Sequence, residues 1–372
     1  MKVHSKFIKA FGTLLIAVLL FGAMPAGEVK ADTLDVCLDG CPYSTIGDAL
    51  AVAKPGSTIV IGRGEYKGDF TMKFPVNLIG KDPNEPPTII GGPVTIDYSG
   101  YVPDDGGYLK TLIDNINFKT REDVKHNTVS IKNGVHIKFT NCHFDGGGKF
   151  MDGGDVAIQM EPESKAVNIE KCIFENGFYV TLQGTMTDVS VVNSVISNVK
   201  SGINAQHGRN LVVKNTDFLV IAHGPENDTY AIRFGSDTGN ANNMTVRGGQ
   251  FDVKTADPKP GIYHSAIVLR KAASGELQVK DAKIHGEVVN HSATDILDIS
   301  PNFWWNAMGP NPDLLKGKMI YNPWYNTSDL TTKTYLVGPD QPFKTIQTAI
   351  DAASDGDTVR VLKLILSINV FK

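Results

Sequence analysis

The sequence predicts an all-β solenoid in which short parallel strands wind into stacked coils, and three observations carry that prediction. The first is a recurring phrase: LIDNINF ending at Phe118, IKFTNCHF at Phe144, VNIEKCIF at Phe174, VSVVNSVI at Ile196, LVVKNTDF at Phe218, MTVRGGQF at Phe251 and LQVKDAKI at Ile284. Each copy alternates apolar with polar residues, as a half-buried strand requires, and most carry a polar or small pair such as Asn193-Ser194 before the last apolar residue. The second is a family of strands between the copies: TVSIK at 128–132, VAIQM at 156–160, YVTLQ at 179–183, GINAQ at 202–206, AIRFG at 231–235 and AIVLR at 266–270. The third is spacing. Successive phrases end 26, 30, 22, 22, 33 and 33 residues apart, and the shortest interval leaves no room for the helix of a βαβ crossover.

The ends of such a stack need caps, because an open strand edge invites aggregation. Ser44 or Thr45 can cap a short helix that places Ile46, Ala49, Leu50 and Ala53 on one face and stops at Pro55-Gly56. The strand phrase STIVIGRGEY follows directly. Intervals above the minimum put loops at 145–155, 219–229, 235–243 and 252–265, and length of this kind shapes whatever cleft a solenoid has.

Composition bounds the partners. With 36 basic and 40 acidic residues the formal charge is −4, so there is no basic excess of the kind that nucleic-acid or anionic-membrane binding needs. Lys2, Lys6 and Lys9 precede an apolar stretch from Phe11 to Phe21, and small residues end at Ala31. That pattern reads as a signal peptide over 1–31, too short in its apolar part to span a bilayer. The segment holds four basic residues and one acidic, so its removal leaves an acidic chain at −7. A secreted or cell-surface protein without a membrane span, acting as a single copy, is the expectation. In that compartment Cys37 and Cys41 suit a small disulfide loop, while Cys142 and Cys172 read as buried small hydrophobes on neighbouring coils, with a mutual disulfide as the alternative.

Two stretches resemble a known family. GCPYSTIGDALAVAKPGSTIVIGRGEYKG followed by VNLIGKDPNEPPTII is similar to the opening of right-handed parallel β-helix proteins of the pectin-lyase-like superfamily, and NFWWNAMGPNPDLLKGKMIYNPWY at 302–325 resembles the closing segment of bacterial surface β-helices of that type. The resemblance covers about residues 37–325 and implies a right-handed parallel β-helix with a short N-terminal capping helix. It implies little about chemistry, since lyases, hydrolases, epimerases and non-enzymatic surface proteins share that frame. The domain reading is therefore a signal peptide at 1–31, a β-helix at 32–325 and a linker at 326–342. Residues 343–372 complete it as a second module that starts and breaks off, because FKTIQTAIDAASDGDTVRV at 343–361 repeats YSTIGDALAVAKPGSTIVI at 43–61 with an offset of 300. The opening then departs: Lys363-Leu364-Ile365-Leu366 stands where Arg63-Gly64-Glu65-Tyr66 would be matched. A fragment of a multi-module protein is the expectation, its half-module either mobile or docked on the end of the helix.

Candidate chemistry follows from the strands between the phrases. If their alternate side chains face outward, Lys132, Gln159, Gln183, Gln206, Arg233 and Arg270 form a polar ladder of about one residue per coil. Rungs about 4.8 Å apart match half a disaccharide, so amides and cations at that repeat suit an extended polysaccharide. A lyase acting on uronates needs a cation or Ca²⁺ on the substrate carboxylate and a base for the C5 proton; Arg233 and Arg270 are the candidates, with His207 and His264 behind them. Asp145, Asp152, Asp155, Glu161 and Glu163 are the oxygen ligands available for Ca²⁺. A hydrolase is disfavoured: Asn215-Thr216-Asp217 resembles one polygalacturonase phrase, but the paired carboxylates of that family are missing. Trp304, Trp305 and Trp324 can stack on sugars, yet their neighbouring prolines and terminal position favour a packed cap.

Two functional readings result. The first is a non-catalytic exported module that contacts polysaccharide or cell-surface glycan through its β-helix face. The alternative is a polysaccharide lyase that cleaves uronate-containing glycans by β-elimination.

Overall fold

A computed structural model describes residues 32–103, 109–120, 127–148, 155–222, 229–255 and 264–362. The expected signal peptide, Asp152 and residues 363–372 lie outside that set, and no helix among the described residues is long and apolar enough to cross a membrane.

The chain is a right-handed parallel β-helix with three strands in a full coil. The first sheet contains Val129–Ile131, Val156–Met160, Thr229–Phe234 and His264–Leu269. The second contains Val135–Thr140, Lys165–Glu170, Ala241–Arg247 and Ala273–Lys280, and the third contains His143–Asp145, Ile173–Glu175 and Lys283–His285. The strand Ile203–Lys214 runs through both of the first two sheets and helps join them into one 21-stranded array, beside the nine-stranded third sheet.

The recurring phrase is a second-sheet strand, a tight turn and a third-sheet strand. Its final residues stack in register as Phe118, Phe144, Phe174, Ile196, Phe218, Phe251 and Ile284. All are fully buried, and the rings of Phe118, Phe144 and Phe174 stack at 4.7 and 4.6 Å, the repeat of a parallel sheet. The polar pair before each final residue has a mechanical cause. Asn115, Asn141, Lys171, Asn193, Asn215 and Asp281 take φ between 46° and 57° there, a left-handed bend that asparagine tolerates better than most residues. Their side chains also bridge coils: Asn141 Nδ2 donates to Asp114 Oδ1 at 2.8 Å and Asn215 Nδ2 to Asn193 Oδ1 at 3.3 Å.

At the N-terminus, Thr45 caps helix Ile46–Val52 by accepting from the Asp48 amide at 3.1 Å, and Ile46 and Ala49 are buried beneath the first coils. Cys37 and Cys41 form the small disulfide loop. Cys142 and Cys172 are free and buried on adjacent coils, and burial pushes the Cys142 thiol up.

The repeated opening folds as its original does. Thr345 caps helix Ile346–Ala352, and Thr358–Val361 pairs in parallel with Lys333–Val337 as Thr58–Ile61 pairs with Thr33–Val36. The stretch 326–342, expected as a linker, contains the strand Lys333–Val337. That strand also pairs antiparallel with Trp324–Tyr325, and Asn322 exchanges two bonds with the Leu336 backbone. These contacts tie residues 333–361 to the Trp324–Tyr325 end of the coil stack.

Candidate functional site on the first sheet

The outer face of the first sheet is organised by strand register. Ser130, Gln159, Gln183, Asn204, Arg233 and Val268 stand opposite one another on successive coils. Three expected ladder members, Gln159, Gln183 and Arg233, belong to this row. Lys132 and Arg270 do not: each follows its row member by two residues, about 6.6 Å further along the strand. Their backbone amides donate to Ile96 and Phe234 of the preceding coil, which puts them in a second row with Glu161. Gln206 likewise follows its row member, Asn204, by two residues, and because Gly184 faces Ala205 whereas Thr185 faces His207 it is the extra residue of a bulge and misses the second row as well. The single expected ladder is therefore two rows.

Asn204 and Arg233 form the centre of the first row. Asn204 is 5% exposed, and its Oδ1 atom has no hydrogen-bond partner among the described residues. Arg233 is half-buried with its Nε atom likewise unmatched, and its guanidinium lies 5.9 Å from the Tyr230 ring. Burial pushes the Tyr230 hydroxyl up to about 12, against the opposing pull of Arg233. Beyond Arg233 the face turns apolar, where Tyr230, Val268 and Val289 pack together. On the other side Lys200, almost fully buried, holds its ammonium 4.4 Å from the Tyr179 ring.

Arg270 is engaged. Its Nη2 donates to Asp237 Oδ2 at 2.6 Å, and that bond, with Lys271 and Arg233 nearby, holds the Asp237 carboxyl below its ordinary range. The turn that supplies Asp237 lies in the loop expected at 235–243, and its Gly239 lies so close to His207 that a Cβ there would meet the imidazole at 1.8 Å. Next to this pair, burial and Arg270 lower His291 below its ordinary pKa. Glu287 accepts from Ser265 Oγ at 3.1 Å and pairs with Lys316.

The carboxylates expected as Ca²⁺ ligands do not converge. Asp145 sits in the third sheet and accepts from the Gly147 amide at 2.9 Å. Asp155 starts a first-sheet strand and Glu161 and Glu163 follow its end, about 20 Å away for six extended residues. Ca²⁺ needs its oxygens within about 2.6 Å, so the described residues do not form that site. No group of three or more metal-ligating side chains occurs among the described residues. Asp217 is on the third sheet, where it accepts from the Gln250 amide at 2.9 Å, remote from the Arg233 row.

Sequence reasoning missed Asn204, Tyr230, Lys200 and Asp237. Asn204 was recoverable: Ile203 and Ala205 flank it as Leu182 and Gly184 flank Gln183. Chemically, the row offers amides, a cation, an unmatched acceptor and an unmatched donor in one register.

No family model matches the chain, and no curated protein matches it. Solved structures similar to it include a pectin methylesterase from carrot, at 12% identity over 90% of this chain and 89% of that one with a TM-score of 0.43. A rhamnogalacturonan lyase is similar at 9% identity over 73% and 76% with a TM-score of 0.37, and a pectate lyase at 10% over 80% of each with 0.35. Likeness at this level carries nothing about the chemistry of the Arg233 row.

Proposed function

We propose that this protein is an exported β-helix module that contacts polysaccharide or cell-surface glycan through the first sheet, without cleaving it. The observation that carries the reading is the pair of unmatched atoms at Asn204 and Arg233. A buried acceptor and a buried donor on adjacent rungs are each costly if left alone. A sugar hydroxyl donates and accepts at once, so it can serve either atom once the side chain turns outward to meet it, and the rung repeat of about 4.8 Å lets the amides of Gln183 and Gln159 follow a chain of sugars. Export is supported by the signal-like segment at 1–31 and by the Cys37–Cys41 disulfide.

The lyase remains the second reading because Arg233, Arg270 and Lys271 all act on one carboxylate, Asp237. Against it, Arg270 is committed to Asp237 and is a poor base while that ion pair stands. Affinity electrophoresis in gels cast with neutral and acidic polysaccharides tests the proposal. Retardation without new reducing ends or unsaturated uronate supports it; unsaturated product that disappears with Arg233→Ala replaces it with the lyase.

A further inference from the structure

Of the three tryptophans, Trp304 and Trp324 are buried at the end of the coil stack, 8% and 3% exposed, but Trp305 is 50% exposed. Packing does not account for its position. Its φ is +55°, a left-handed conformation unfavourable for a bulky side chain and of the kind that folds retain at functional points. The bridge between Lys283 and Phe303 carries the third sheet one coil further, and Trp305 lies beside His285, which itself stands opposite Asp252. Asp252, His285 and Trp305 thus form one outward row on a face different from that of Arg233.

The row is organised. His285 Nδ1 and Asp252 Oδ1 are 3.0 Å apart, and the imidazole packs 5.5 Å from the indole at a tilt of 40°. Lys254 Nζ lies 3.7 Å from the same Asp252 carboxylate. A half-exposed indole face with a hydrogen-bonding imidazole one rung away and a carboxylate two rungs away has the dimensions of a pyranose ring and its neighbour, about 4.8 Å and 9.6 Å along the stack.

We propose that Trp305 is a sugar-stacking platform, a second glycan contact in which a pyranose ring lies on the indole and adjacent hydroxyls bond His285 and Asp252. The contact is independent of the first-sheet row. It stands on its own residues, so either site can fail without the other.

Tryptophan fluorescence tests it, since Trp305 is the one exposed indole in a chain with three. The purified protein is titrated with hexasaccharides of glucose, xylose and galacturonate, each probed for an emission shift and for protection from acrylamide quenching. The proposal expects at least one of them to protect the indole. In isothermal titration, which does not use the indole as reporter, Trp305→Ala should weaken that ligand at least tenfold while Trp305→Tyr retains it, and Asp252→Ala should weaken it less. The proposal is overturned if no hexasaccharide alters the emission, if the affinity measured by isothermal titration survives Trp305→Ala, or if Trp305→Ala abolishes only a concentration-dependent self-association.

Discussion

Asn204 and Arg233 stand opposite each other on neighbouring coils, and each keeps one buried polar atom without a partner among the described residues. A core would not leave such a pair, because each unmatched atom costs stability that an apolar side chain would not. Replacing Arg233 with Ala should therefore weaken glycan affinity about ten- to a hundredfold, the worth of one lost charge-assisted hydrogen bond. Isothermal titration measures this, with circular dichroism confirming that the coil is intact. Unchanged affinity would remove Arg233 from the site.

The aromatic stack is the strongest prediction about stability. Phe144 is fully buried between Phe118 and Phe174. Phe144→Ala should cost about 3–5 kcal/mol in denaturant unfolding, because neighbouring coils fixed by their strand ladders cannot collapse into the space. A loss below 1 kcal/mol would mean that the stack is not a close-packed core.

The bends make a different prediction. Asn215 holds φ near 46° and bonds Asn193. Asn215→Val should destabilise by about 1–2 kcal/mol, since a β-branched side chain tolerates that conformation poorly, while Asn215→Gly should cost less. If valine and glycine prove equal, the side-chain ladder rather than backbone strain sets the preference.

Asp237 provides a pH test. Its carboxyl is held below the ordinary value of 3.8 first by the Arg270 hydrogen bond. A depressed folded pKa means that the pair contributes fully above the unfolded value and is lost as pH falls through the lower folded one. Since Asp237 is at the surface, the energetic effect is small and the direct readout is its carboxyl resonance. The titration midpoint should rise toward the ordinary value in Arg270→Ala, and an unmoved midpoint would dissolve the pair.

Docking of the half-module is testable by limited proteolysis. Tyr325 Oη donates to Asp281 at 2.7 Å and Asn322 holds both backbone groups of Leu336. Asn322→Ala should expose 326–342 to cleavage that the unaltered protein resists. Equal cleavage rates would mean that the half-module is held by other contacts.

The coil was legible because its period is physical. Stacked Phe118, Phe144 and Phe174 and the asparagines before them repeat once per coil, and the capping helix announced itself through Thr45 and Pro55-Gly56. The row of site residues was half legible. Alternation along one strand identified Gln159, Gln183 and Arg233, but which residue faces which depends on register, and register puts Ser130, Asn204 and Val268 in the row rather than Lys132, Gln206 and Arg270, each two residues further along. The carboxylates looked clustered because they are near in sequence, whereas an extended strand carries Asp155 and Glu161 to opposite edges of a sheet. Asp237 bonding Arg270 was invisible, since it depends on how a turn folds over the next coil.

The most direct test of the central claim is titration of the protein with oligosaccharides of the retarding polysaccharide, run in parallel for the unaltered chain and Arg233→Ala with ultraviolet absorbance recorded throughout. The account predicts saturable binding that Arg233→Ala weakens at least tenfold, with no absorbance from unsaturated product. Binding indifferent to Arg233, or unsaturated product that depends on it, would contradict the claim that this face is a non-cleaving glycan contact.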